Sequence, residues 1–197
     1  MIHNLPNILT IIRIVITPMI VWLLIGFDSL ALHAFALFLF VIASLTDLFD
    51  GILARKLKVV SEFGKFMDPL ADKILVNSTF ITLNILGVIP IWITAVIILR
   101  DGLVTLLRWG MLANGLSMHT NNLAKAKTIF QYISMYVGLI FILLGHFESF
   151  DTIVAWAEEW FVTETIFTLT GLVTAYTGFN YLWINRTFLK NLFTESE

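Results

Sequence analysis

Long apolar stretches separated by short polar clusters dominate this chain from end to end. An α-helix needs about 20 apolar residues, at about 1.5 Å of rise each, to cross the ~30 Å hydrocarbon core of a bilayer. Six runs of roughly that length can be drawn, at about 5–26, 30–50, 68–88, 90–112, 128–145 and 161–183. Pro6 suits the first helical turn of the first run, where its missing N–H sacrifices no helical bond. The links between runs are short, with no repeat, low-complexity segment or linker. The pattern predicts an all-α integral membrane protein of six transmembrane helices, with residues 1–197 forming a single membrane domain.

Composition supports the membrane reading. The chain is 58% hydrophobic and only 13% charged, with a mean hydropathy of +0.90, whereas soluble domains carry about 25% charged residues. A water-soluble domain of this length exposes too much of its surface to hide so much apolar area. The net charge of −2 gives no footprint for nucleic acid. The absence of cysteine excludes disulfides, thiol nucleophiles and cysteine-ligated zinc. Arg13 follows an apolar start and no small-residue cleavage site follows the run, which argues against a cleavable signal peptide.

Charge also orients the chain. With six spans, the N-terminus, the links after runs two and four, and the C-terminus share one side. Those regions and the adjoining helix ends hold all twelve Lys and Arg, while the last opposite link carries Glu148, Asp151, Glu158, Glu159 and Glu164. The positive-inside rule then places both termini in the cytoplasm. Trp22, Trp92, Trp156, Trp160 and Trp183 fall near predicted span ends, as interfacial tryptophans do.

Against this apolar background the stretch TDLFDGILARKLKVVSEFGKFMDPLADK, residues 46–73, carries Asp47, Asp50, Asp68 and Asp72. The first two are three apart at the end of run two, and the last two are four apart at the start of run three. On helices each pair shares a face. A short link makes the two helices antiparallel neighbours, so all four carboxylates can converge at the cytoplasmic membrane boundary. Solvated edge residues or simple ion pairs would not require helical register. Converging carboxylates repel unless a cation holds them, and all-oxygen ligands suit hard cations such as Mg²⁺ or Mn²⁺. Gly51 and Ala54 would let a bulky ligand approach the helix, and Arg55 would offer a planar fork to a phosphate. Taken singly, these three are equally read as close helix packing and a positive-inside arginine.

Asp47-x2-Asp50-Gly51-x2-Ala54-Arg55-x8-Gly64-x3-Asp68-x3-Asp72 resembles the signature of the CDP-alcohol phosphatidyltransferases, with eight fixed residues over 26 positions. The resemblance implies a six-helix membrane enzyme, usually a homodimer, with its active site at the cytoplasmic membrane interface. Two divalent cations, Mg²⁺ or Mn²⁺, would serve as cofactors. Carried over by position, Asp47, Asp50, Asp68 and Asp72 would be metal ligands, and Asp72 also the general base. Gly51, Ala54, Arg55, Ser61 and Gly64 would contact CDP-diacylglycerol, Gly64 also serving the turn into the third span.

Three further stretches bear on the acceptor. NLPNILTIIR, ending at Arg13, is similar to the start of phosphatidylglycerophosphate synthases and of eukaryotic-type cardiolipin synthases. Asn7 and Thr10 would then line the nucleotide site, with helix capping as the plainer alternative. LRDGLVTLLR resembles the synthase segment in span four, with Arg100 and Arg108 at its basic positions and Asp101 where glutamate is usual. NLAKAKTIFQ resembles the basic stretch before span five, with Lys125, Lys127 and Thr128 matching and Ala124 where glycine is common. Arg100, Arg108, Lys125 and Lys127 would bind the phosphate of a glycerol 3-phosphate acceptor. An ion pair between Arg100 and Asp101, or a plain positive-inside loop, would account for the same residues. The departures at Asp101 and Ala124 keep phosphatidylglycerol, and so cardiolipin synthesis, as an alternative acceptor. A divalent-cation transporter is the reading from another class, but the outer halves of the spans offer few polar groups for a conduit. His3, His33, His119 and His146 are scattered without metal-ligand spacing and are assigned no role.

Overall fold

The computed structural model describes residues 5–57, 62–114, 123–186 and 188, apart from the side chains of 5–6, 48–57, 62–66, 68 and 123–125. Its elements are α1 (Leu5–Gly26), α2 (Leu30–Leu57), α3 (Glu62–Ile85), α4 (Ile91–Ala113), α5 (Leu123–Leu144), a 3₁₀ turn at Glu148–Phe150, α6 (Asp151–Glu159) and α7 (Val162–Ile184). No strand occurs among the described residues. Among the described residues, three helical segments, Asn7–Gly26, Leu30–Asp47 and Ala126–Leu144, are long and apolar enough to cross a membrane. The other long helices are diluted by polar groups: α4 carries Arg100, Asp101 and Arg108, and α7 has threonine at 163, 165, 168, 170, 174 and 177.

Those hydroxyls are sorted by side. Thr163, Thr170, Thr174 and Thr177 of α7 are buried, while Leu169, Leu172 and Phe179 face outward. Within the bundle, Thr17 donates to the Arg13 carbonyl, Thr79 to that of Leu75 and Ser134 to that of Phe130, each one helical turn back. Between helices, Ser134 meets Thr170 and Ser44 meets Tyr136, hydroxyl to hydroxyl. Buried hydroxyls that are largely self-satisfied or cross-linked, Thr174 being an exception among the described residues, suit a bundle whose outer solvent is lipid. All six tryptophans are exposed, as the five placed near span ends would be at an interface.

α1 is the main partner of both α2 and α3 among the described residues, and α4 and α5 both pack on α7. Sequence reasoning expected α2 and α3 to be direct neighbours with adjacent cytoplasmic ends; residues 58–61 of their link lie outside the described residues, and α1 packs against both helices. The core beneath is Ile20, Leu24, Phe40, Leu75, Phe80, Leu83, Ile93, Ile97, Met135, Leu139 and Phe167. Gly138 allows the close approach of α5, since a Cβ there would lie 2.9 Å from Leu83 and 3.0 Å from Phe167. The α3–α4 turn is built on Gly87 at φ 75°, a left-handed conformation that side chains resist, and Asn84 closes it by donating to the Ile89 carbonyl.

Two boundaries differ from expectation. α2 continues past Asp50 to Leu57 and α3 begins at Glu62, so Gly51, Ala54 and Arg55 lie on helix. Gly64, expected in the turn before the third span, lies in the first turn of α3. The span rule measures only the apolar part of a helix, and a helix continues into water wherever propensity allows. The acidic link after run five contains α6, a short helix with Asp151 in its first turn, where a carboxylate opposes the positive end of the helix dipole.

Candidate active site at the aspartate end of the bundle

Asp47 on α2 is held by α1. The Arg13 guanidinium donates to its carboxylate at 2.6 Å, and Arg13 itself is only 1% exposed. Asp47 keeps 30% of its side chain accessible, so one face is fixed by the protein and another stays open to a ligand. Asp72, near the middle of α3, accepts a long hydrogen bond from the Tyr132 hydroxyl of α5 at 3.4 Å. The charges of Asp47, Lys127, Arg13 and Asp101 all act on the Asp72 carboxyl, which places groups from α1, α2, α4 and α5 around it.

Beside Asp72 opens a cavity of about 970 Å³, lined among others by Lys73, Arg100, Asp101, Arg108 and Lys127. Asp101, 4% exposed, organises this wall. It accepts from Lys127 Nζ at 2.6 Å and from Arg100 at 3.0 Å. Arg100 also lies over the Tyr181 ring at 5.5 Å, and its buried Nε has no hydrogen-bond partner among the described residues. Lys73 Nζ contacts the Thr105 hydroxyl, which in turn donates to the Asp101 carbonyl. Arg108 is exposed at the cavity rim. A carboxyl capable of taking a proton thus shares one cavity with four cations, only two of them paired with Asp101.

A match to the family description CDP-alcohol phosphatidyltransferase covers residues 3–176. The chain belongs to the CDP-alcohol phosphatidyltransferases. Among relatives, the CDP-diacylglycerol–glycerol-3-phosphate 3-phosphatidyltransferase of Bacillus subtilis is 40% identical over 158 residues, 75% of this chain and 82% of that protein. The enzyme of the same name from Rickettsia typhi is 37% identical over 188 residues, 94% of this chain and 98% of its own. A probable phosphatidylglycerophosphate synthase of Mycobacterium tuberculosis is 39% identical over 146 residues, 73% and 68% of the two chains. Membership of this membrane-enzyme family, with the apolar helices, makes the chain an integral membrane protein.

Of the phosphatidyltransferase signature, the structure brings Asp47 and Asp72 into one electrostatic neighbourhood. Asp50 and Asp68 lie one helical turn away from them on α2 and α3, where only the backbone is described; the same holds for Gly51, Ala54, Arg55 and Gly64, and Ser61 lies outside the described residues. Asn7 and Thr10 sit on α1 in the turns before Arg13, with Thr10 fully buried. Arg100, Arg108 and Lys127 converge on the cavity, while the side chain of Lys125 is outside the description. The alternative reading of Arg100 also holds, since its ion pair with Asp101 forms.

Sequence reasoning missed three participants: Arg13, Tyr132 and Lys73. An arginine midway along an apolar run was a usable signal, because intramembrane charge is rarely idle. Tyr132 gave none, as an aromatic residue in a span is ordinarily a packing residue.

Proposed function

We propose that this enzyme transfers a phosphatidyl group from CDP-diacylglycerol to glycerol 3-phosphate, giving phosphatidylglycerophosphate and CMP in phospholipid biosynthesis. The observation that carries this reading is the cavity that joins Asp72 to Lys73, Arg100, Arg108 and Lys127. An acceptor whose own phosphate must be neutralised is well served by such a wall; inositol or serine would need fewer cations. The names of the bacterial relatives agree with it.

In the proposed reaction the acceptor hydroxyl oxygen bonds to the β-phosphorus of CDP-diacylglycerol. The bond from that phosphorus to the bridging oxygen breaks, and CMP leaves with the electron pair. Asp72 receives the hydroxyl proton, its size and position against Tyr132 suiting a base at the cavity wall. Arg100 and Lys127, fixed by Asp101, hold the acceptor phosphate with Arg108 at the rim, and Lys125 adds to that field. Asn7, Thr10, Gly51, Ala54, Arg55, Ser61 and Gly64 receive the nucleotide end of the lipid.

Asp47, Asp50, Asp68 and Asp72 would hold two divalent cations, Mg²⁺ or Mn²⁺. Their fit is chemical: the donors are hard carboxylate oxygens, and Asp47, though paired with Arg13, keeps 30% of its side chain accessible. Bound there, such ions neutralise pyrophosphate charge. Six spans, cytoplasmic termini, a homodimer and a site facing the cytoplasm from the bacterial inner membrane complete the reading.

The test is CMP release by purified protein with CDP-diacylglycerol and Mg²⁺ or Mn²⁺. Glycerol 3-phosphate, phosphatidylglycerol, inositol and serine are offered separately, beside a chelator control. Release with glycerol 3-phosphate alone is expected. Release with phosphatidylglycerol alone would move the enzyme to cardiolipin synthesis.

A further inference from the structure

A second set of donor atoms gathers at the opposite end of the bundle. Asp28 in the α1–α2 link, His33 near the start of α2 and His146 just beyond α5 present ligand atoms that all lie within 4.8 Å of one another. α5 has 22 residues, or about 33 Å of rise, with Lys127 near its start and His146 past its end. The group is therefore separate from the cavity around Asp72.

The protonation pattern of this group is constrained. His33 is buried, and its Nε2 lies 2.7 Å from the Phe27 carbonyl. A carbonyl only accepts, so Nε2 carries a proton, and in the neutral ring Nδ1 then presents a lone pair. That lone pair lies 2.9 Å from Nε2 of His146, which is 3.7 Å from the Asp28 carboxylate. A hydrogen bond between the two imidazoles would satisfy one nitrogen pair and leave the carboxylate to water. A cation engages all three at once. Zinc–nitrogen distances of about 2.1 Å in a tetrahedral site put neighbouring ligand atoms about 3.4 Å apart, between the two separations seen here. The His33 ring is also oriented as ligating histidines are, with its far N–H given to a backbone carbonyl.

We propose that Asp28, His33 and His146 form a site for a borderline divalent transition ion, zinc foremost, that ties the α1–α2 link to the end of α5. Two imidazole nitrogens and one carboxylate select against Mg²⁺ and favour zinc-like ions. Three protein ligands leave a fourth position for water.

The experiment uses the full chain, purified in detergent without a histidine tag and stripped with chelator. It is equilibrated with Zn²⁺ in excess Mg²⁺, desalted, and its metal counted by mass spectrometry. About one zinc per chain is expected for the wild type and for Asp72→Asn, and little for His146→Gln. Asp28→Asn, at a side chain 97% exposed, leaves the fold untouched and should weaken zinc binding at least about tenfold. It keeps the test decisive if His146→Gln fails to fold. Zinc retained equally by wild type and Asp28→Asn, zinc lost in Asp72→Asn, or none retained by the wild type would each overturn the proposal.

Discussion

Asp47 and Asp72 belong to one signature, yet their surroundings predict different failures. The hydrogen bond that Asp72 receives from Tyr132 is long, so Asp72→Asn should leave thermal stability nearly unchanged while activity falls about 10²–10⁴-fold, the range for a lost general base. Asp47→Asn also withdraws the countercharge of a buried guanidinium. A charged hydrogen bond contributes about 1.5–3 kcal/mol, so this variant should lose both activity and several degrees of melting temperature. Thermal unfolding in detergent beside CMP release separates the two, and equal melting temperatures for both variants would refute the asymmetry. On the cavity wall, Lys127→Met should raise KM for glycerol 3-phosphate about tenfold or more, with KM for CDP-diacylglycerol little changed. Asp101→Asn should do the same by releasing Lys127 and Arg100, and Asp101→Glu should restore function, because either carboxylate can reach both cations. Steady-state kinetics with each substrate varied in turn checks this. The aspartates and most of these cations were legible in the sequence because helical spacing and charge are local properties. Arg13 was not, since its meaning comes from a partner 34 residues away.

At the scale of elements, α1 is what builds the aspartate site, by packing on both α2 and α3 and pairing Arg13 with Asp47. The sequence announced α1 as an apolar run whose start resembles the synthases, with no sign of which helices it would pack against. Two glycines show how closely the site depends on helix approach. A Cβ on Gly178 of α7 would sit 2.7 Å from Arg100 Cγ, at the stem of the side chain rather than its mobile tip. Gly178→Ala should therefore displace Arg100 and raise KM for the acceptor. Gly138→Ala meets Leu83 and Phe167 instead, an overpacking that costs about 1–3 kcal/mol. It should lower the melting temperature without a selective effect on that KM. Measuring both quantities for both variants distinguishes a helix contact that supports the site from one that supports only the bundle.

For the whole molecule, a belt of exposed large side chains such as Val15, Phe38, Leu99, Leu106, Leu172 and Phe179 surrounds a core with many hydroxyls, the arrangement expected when lipid is the solvent. The proposed orientation is directly testable because the chain has no cysteine. Single cysteines replacing Asn114, at the end of α4, and Ser149, after α5, occupy exposed positions at opposite ends of the bundle. A membrane-impermeant maleimide applied to intact cells should label Ser149→Cys and spare Asn114→Cys until the membrane is opened. The reverse pattern would invert the assigned topology.

The sequence by itself determined the helical class, the membrane setting and the four-aspartate signature, because hydrophobic run length and three- or four-residue spacing are written within single helices. Only the tertiary structure decided that α1 lies against both α2 and α3, that Arg13 holds Asp47, and that Asp101 fixes Lys127 and Arg100. It alone joined His33 to His146 across 113 residues. Such pairings depend on which faces of separate helices meet, and that choice is made by packing among many helices at once, not by any local run of residues.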